Sequence, residues 1–151
     1  MMGDVMAAKI LIVEDEIIVA MSTQMILRQL GHEPVGIAPD LDNALRLAEK
    51  MPDLALVDLN LRDGLTGPQI GARLSQHHGV AVLFITANPR ILGDGIAGTI
   101  GVLTKPTDRD AIKQAVDYAL RIKRGEQVEP PTALRTFARP SKFSVIGLSE
   151  W

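Results

Sequence analysis

The sequence predicts a doubly wound α/β domain, five parallel strands with helices on both faces, and three observations predict it. Short apolar runs alternate with longer segments of helical spacing in a β-α pattern repeated five times. Three of the runs are apolar almost throughout, as strands covered on both faces are. The runs also end on polar residues with chemically active side chains: Glu14 and Asp15, Asp58, Thr86 and Lys105. In open parallel sheets ligands bind beyond the carboxyl ends of the strands, so those endings matter.

The elements follow in order. KILIV (9–13) is the first strand. Asp15 is placed to cap a helix from Glu16 to about Leu30, which Gly31 ends. EPVGIA (33–38) is the second strand, and Asp40 can cap a helix to about Lys50. DLALVD (53–58) is the third, and Thr66, with Pro68 in the first turn, opens a helix to about His77. VAVLFIT (80–86) is the fourth. The next helical segment holds Gly93, Gly95, Gly98 and Gly101. Each interior glycine costs about 1 kcal/mol relative to alanine, so this segment is expected to be short or partly loop. GVLTK (101–105) is the fifth strand. Thr107 is expected to start the last helix, whose apolar face is Ala111, Ile112, Ala115, Val116, Ala119 and Leu120.

The totals narrow the class of molecule. At 151 residues and 46% apolar composition the chain is long enough to bury one core, expected over residues 1–124. Sixteen basic against 18 acidic residues give a net charge of -2 and no general pull toward nucleic acid or anionic membrane, so direct DNA binding is not expected. Absence of cysteine removes disulfides, thiolate catalysis and cysteine-ligated zinc, and suits a reducing compartment. The uncharged runs Ile17–Leu27 and Gly79–Pro89 fall well short of the ~20 residues a membrane span needs, and MMGDVMAAK lacks a signal-peptide pattern, so a cytoplasmic protein is expected. From Gly125, Pro130, Pro131 and Pro140 interrupt a tail (125–151) too short for a second domain.

The stretch LIVEDEI places three carboxylates at a strand end. Two like charges about 4 Å apart cost on the order of 4 kcal/mol at an effective dielectric near 20, so the cluster calls for a cation. With strand order 2-1-3-4-5 the first and third strands are neighbours, which brings Asp15 and Asp58 together. Hard oxygen ligands of this kind suit Mg²⁺, or Mn²⁺, and Glu14, Asp15, Asp58 and the backbone carbonyl of Asn60 are the candidates. A carboxylate beside such an ion and beside Lys105 is placed to attack a phosphoryl group, with Thr86 donating to one of its oxygens. Taken singly, each residue has an ordinary reading: Asp15 a cap, Asp58 a turn residue, Thr86 a strand residue, Lys105 a solvated cation. Their convergence on one sheet edge favours the functional reading. Glu16 and the histidines stay with structural roles, His32 after a helix-ending glycine and His77 and His78 at a helix C-terminus.

With these residues in place the chain resembles a receiver domain of a two-component response regulator over roughly residues 8–124. Glu14 and Asp15 match the family's acidic pair, Asp58 in LVDLNL its phosphoacceptor, Thr86 its switch hydroxyl, and Lys105-Pro106 its lysine and following, typically cis, proline. The run FITANP (84–89) is similar to receivers of general-stress-response regulators. The resemblance implies a flavodoxin-like receiver fold and Mg²⁺-dependent phosphoryl transfer to Asp58 from a phosphohistidine on a sensor histidine kinase or histidine phosphotransfer protein. It implies readout on the face of the fourth helical segment, fifth strand and fifth helix by an unidentified downstream protein. One departure is Val102, where the family carries an aromatic three residues before the lysine, so readout is expected to differ. By the same likeness Asn60 and Asn88 flank the path of the attacking water, and neither amide can act as a general base.

The expectation is therefore a stand-alone receiver that signals by protein contact or drains phosphate from a shared kinase; a homodimer is compatible with it. An aspartyl-nucleophile phosphohydrolase is the alternative, though those enzymes usually carry the nucleophile on the first strand. A receiver fragment of a longer DNA-binding regulator is a further one. The tail holds Phe137, Phe143 and Trp151, three of the chain's five aromatic residues, along with the strand-like FSVIGL. It is expected to dock on folded protein, around the glycine-rich segment and Val102, either of the same chain or of a partner subunit.

Overall fold

The structure is a computed structural model and describes residues 7–137. Its strands are β1 (Lys9–Val13), β2 (Glu33–Ala38), β3 (Leu54–Val57), β4 (Ala81–Thr86), β5 (Gly101–Thr104) and β6 (Arg135–Thr136). Its helices are α1 (Ile17–Gln29), α2 (Leu41–Ala48), α3 (Gly67–His78) and α4 (Arg109–Lys123). The sheet order is β2-β1-β3-β4-β5-β6. The first five strands are parallel in the expected order, with Val13 opposite Val57, Val57 opposite Phe84 and Thr86 opposite Thr104. This register aligns the carboxyl ends of β1, β3, β4 and β5 along one edge.

Strand alternation divides the core into two layers. Ile10, Ile12, Leu54, Leu56, Leu83 and Leu103 face α1 and α4, while Leu11, Val13, Ala55, Val57, Val82 and Phe84 face α2 and α3. Burial on both faces explains why β1, β3 and β4 read as unbroken apolar runs.

Three expectations are corrected. The sheet has six strands rather than five, because β6 adds antiparallel to β5. Asp15 does not cap α1: Glu16 holds the cap position without a side-chain bond, and Glu14 Oε2 accepts the Glu16 N–H at 3.2 Å instead. Thr107 does not start the last helix; Asp108 does, its carboxylate accepting the Ala111 N–H at 2.8 Å. The fourth β-α unit lacks a full helix, as the glycines lead one to expect: the segment forms only a 3₁₀ turn over Pro89–Leu92. Asp40 caps α2 as expected, accepting the Asn43 N–H at 3.0 Å. Thr66 holds the cap position of α3 but spends its hydroxyl on Asp63.

The described part of the tail docks where the sequence places it. Arg135 pairs with Val102 and Thr136 with Gly101, while the Phe137 N–H donates to the Ile100 carbonyl at 3.0 Å. Phe137 is buried, its ring 6.3 Å from that of Phe84. Phe143, Trp151 and FSVIGL lie outside the described residues. Among the described residues no helix is long and apolar enough to cross a membrane.

Candidate functional site

Backbone bonds between neighbouring strand ends fix the site. The Asp58 N–H donates to Val13 O and the Glu14 N–H to Ala38 O, both at 2.9 Å, and the Lys105 N–H donates to Thr86 O at 2.8 Å. The first residues past β1, β3 and β5 are thereby held in line. The peptide bond between Lys105 and Pro106 is cis, as the resemblance implies.

From β5 the Lys105 ammonium reaches across to both acids. It donates to Glu14 Oε1 at 2.6 Å and to Asp58 Oδ2 at 2.8 Å. Glu14 and Asp58 are both buried, and Asp58 Oδ1 accepts the Leu59 N–H at 2.7 Å. Burial holds the Glu14 carboxyl above the usual glutamate range, and the nearby Asp58 charge pushes it the same way against the bonds from Lys105 and Glu16. Burial alone lowers the Lys105 ammonium, but its bonds to Asp58 and Glu14 outweigh that and raise it. The lysine is thus a fixed cation between two anions that would otherwise repel.

The other expected residues divide. Thr86 is buried at the end of β4, and its Oγ1 accepts the Asn88 N–H at 3.1 Å, which leaves its own O–H free to donate. Asp15, Asn60 and Asn88 are exposed at the rim. Val102 is buried in the layer that receives Phe137. Among the described residues no three acidic or imidazole side chains surround one point. The donor set fits Mg²⁺ in kind, because that ion keeps several waters and takes only one or two carboxylates. The histidines stay out of the site. Neutral His32 Nδ1 accepts the Ala8 N–H at 3.1 Å, and His77 and His78 close α3.

Gly67 is a residue that sequence reasoning missed. A β-carbon there would stand 2.1 Å from the Asp58 carbonyl oxygen and 2.4 Å from Leu59 Cα. Only glycine lets α3 start against the backbone that carries Asp58, and the available signal was a glycine beside Pro68 at a helix start. Behind the acids a cleft of about 500 Å³ opens between α1 and α4. Ile18, Val19, Ile26, Ile85 and Ile112 line it, with Asp58 and Lys105 at its polar end. On its outer side α1 exposes Ile17, Ile18, Met21 and Met25, with Ile18 78% and Met25 61% accessible.

Comparison with known proteins places this geometry. The family model described as the response regulator receiver domain matches residues 10–117. The phyllosphere-induced regulator PhyR of Methylorubrum extorquens is 40% identical over 118 residues, covering 76% of this chain and 44% of the relative. The crystal structure of PhyR from Brucella abortus superposes with a TM-score of 0.71 at 33% identity, covering 82% of this chain and 51% of that one. A further PhyR, described as a stress response regulator, gives a TM-score of 0.67 at 30% identity, covering 80% and 48%. The chain spans about half the length of these relatives.

Proposed function

The chain belongs to the response regulator receiver family, a family of phosphoacceptor signalling domains that use Mg²⁺, and from that premise we propose that Asp58 accepts a phosphoryl group from a phosphohistidine donor. The observation that carries the reading is the Lys105 ammonium shared between Asp58 and Glu14 at the carboxyl edge of the sheet. An Asp58 carboxylate oxygen attacks phosphorus; the P–O bond forms as the donor's P–N bond breaks, and the imidazole leaves with the electron pair and takes up a proton. As Asp58 becomes an acyl phosphate its carboxylate loses its charge, and Lys105 follows that charge onto a phosphoryl oxygen. Thr86 supplies a hydroxyl donor to a second oxygen. Asp15, Asp58 and the Asn60 carbonyl, with Glu14 through water, would hold Mg²⁺, which when bound supplies further positive charge against the phosphoryl oxygens.

The donor's docking surface is proposed on α1. Its exposed isoleucines and methionines form an apolar patch beside the acids, and such patches mark protein contacts, where methionine adapts to the partner's shape. A helix of a histidine kinase or histidine phosphotransfer protein suits that patch. Output is by protein contact or by drainage of a shared phosphate pool. Similarity to the PhyR proteins favours a stress-response pathway as the setting. The test is intact mass after incubation with acetyl phosphate and Mg²⁺. The parent should gain one phosphoryl group and Asp58→Asn none, while both keep the same far-ultraviolet circular dichroism. Equal labelling of the two would remove Asp58 from the role.

A second reading, a phosphohydrolase, is weaker on the same site. The nucleophile stands after β3, and the residue two places on is Asn60, which cannot act as a general acid or base.

A further inference from the structure

The loop that follows the nucleophile, residues 59–66, is clasped to the loop that follows β2, and each loop supplies one carboxylate to the clasp. The Arg62 guanidinium pairs with Oδ2 of Asp40, the residue that caps α2, and the Arg62 N–H donates to the Pro39 carbonyl at 3.2 Å. In return Asp63 Oδ2 accepts the Leu41 N–H, the first of α2, at 3.0 Å, while its Oδ1 accepts the Thr66 hydroxyl at 2.6 Å. Leu61 and Gly64 bond each other across the turn at 2.8 and 3.0 Å. Asn60 lies between Leu59 and Leu61, both buried, and among the described residues no backbone N–H donates to its carbonyl. A backbone ligand has no side-chain torsion with which to adjust, so the restraints on its loop decide where it stands.

We propose that Arg62 is a positioning residue for the Mg²⁺ site: its pair with Asp40 holds the 59–66 loop so that the Asn60 carbonyl is in place before the ion arrives. The inference rests on the reading of Asp58 and its Mg²⁺ given above. It runs against the simple charge argument, since Arg62 lies close enough to Asp15 to feel its charge, and a bare cation there would repel a divalent ion. Asp40 neutralises the guanidinium at contact, so little of that repulsion reaches the ion, while the ordering of the loop remains. Repulsion and preorganisation have opposite signs when Arg62 is removed, which makes the role measurable. Arg62 keeps 64% of its side-chain surface in water, so its removal leaves the core intact.

The test is calorimetric titration of the full chain with Mg²⁺, alongside amide exchange of the metal-free protein. Asp40→Asn breaks the ion pair yet keeps the cap of α2, because the asparagine oxygen can still accept the Asn43 N–H. Arg62→Ala and Asp40→Asn should each weaken Mg²⁺ binding roughly threefold to fivefold, the range of an exposed ion pair, and the double variant should bind no more weakly than either. Arg62→Lys, which keeps the charge, should recover part of the loss. Without metal, the Arg62 N–H should exchange faster in Asp40→Asn than in the parent. In labelling with acetyl phosphate, the Mg²⁺ concentration that gives half the maximal rate should rise by the same factor, while the rate at saturating Mg²⁺ stays within about twofold. Unchanged or tighter Mg²⁺ binding by Arg62→Ala overturns the proposal alone, provided the parent binds the ion, and so does additive loss in the double variant. A parent that binds no Mg²⁺ overturns both this proposal and the metal reading at Asp58.

Discussion

The Lys105 ammonium stands 2.8 Å from Asp58 Oδ2, and the same nitrogen satisfies Glu14 at 2.6 Å. Lys105→Ala would leave two buried acids facing each other. The expected loss at pH 7 is on the order of 2 kcal/mol. That lies below the cost of breaking a fully buried pair, because the lysine side chain keeps 17% of its surface in water. The sign with pH is defined. The folded state binds the Glu14 proton more tightly than the unfolded one, so stability falls as pH rises from 4.5 through the raised folded value. Without Lys105 that fall should steepen. The lysine's own contribution is fully present below 10.5 and is lost as pH rises through its higher folded value. Urea midpoints of parent and variant from pH 4 to 9 check the Glu14 slope; parallel profiles would contradict it.

Metal affinity separates the two adjacent acids. Both Glu14 oxygens are engaged, one by Lys105 and one by the Glu16 N–H, whereas Asp15 is exposed and Asp58 already has the lysine. Asp15→Ala should therefore weaken Mg²⁺ binding by roughly tenfold or more, and Glu14→Ala by less. Calorimetric titration of the two variants decides; equal affinities would refute the ranking.

Gly67→Ala is expected to cost about 1–3 kcal/mol or more, because its new methyl group meets the backbone of Asp58 and Leu59, which cannot turn aside. Gly71→Ala meets the Phe84 ring at 2.5 Å, and because that ring is fully buried the change should also cost about 1–3 kcal/mol. Chemical denaturation gives both values. The Gly67 variant should also label more slowly with acetyl phosphate, since its strain falls on the segment carrying the nucleophile.

His32 gives the fold an acid-side sensitivity. Burial holds its imidazole below the ordinary 6.5, only partly opposed by Asp117, and the neutral ring is needed to accept the Ala8 N–H. The unfolded state therefore binds the proton first. Stability from this site is fully present above 6.5 and declines as pH falls through the lowered folded value. His32→Gln keeps an acceptor and removes the titration, so its urea midpoint should change less between pH 7.5 and 5.5 than the parent's. Identical changes would exclude His32 as the cause.

These residues also show what the sequence made legible. The five parallel strands and the polar residues that end them were readable because doubly buried strands leave unbroken apolar runs. Helix starts were less readable, because several residues near a start can cap. Asp40 was placed correctly, but Thr107 and Asp108 both could cap, and among Glu14, Asp15 and Glu16 the choice rests on which side chain turns back toward the helix. Lys105 was legible as a cation at the edge, but its grip on two acids was not, because side-chain reach across strands has no sequence spacing. Gly67 and Gly95 matter through atoms distant in the chain, so nothing local to them announces it. The tail was legible by its aromatic residues, yet the strand forms at Arg135–Thr136, a stretch without an apolar run.

The same short tail touches both layers of the core. Leu134 is buried with the side of the sheet that α4 covers, and Phe137 with the side that α2 and α3 cover. Because a strand's side chains alternate, shifting this segment by a single residue would turn both anchors to the wrong faces together. Tolerance to length change should therefore divide sharply along the chain. Residues added between Gly125 and Pro130, where the backbone is exposed, only lengthen a loop. One residue inserted between Leu134 and Phe137 breaks the phase, so that only one of the two anchors can be seated at a time.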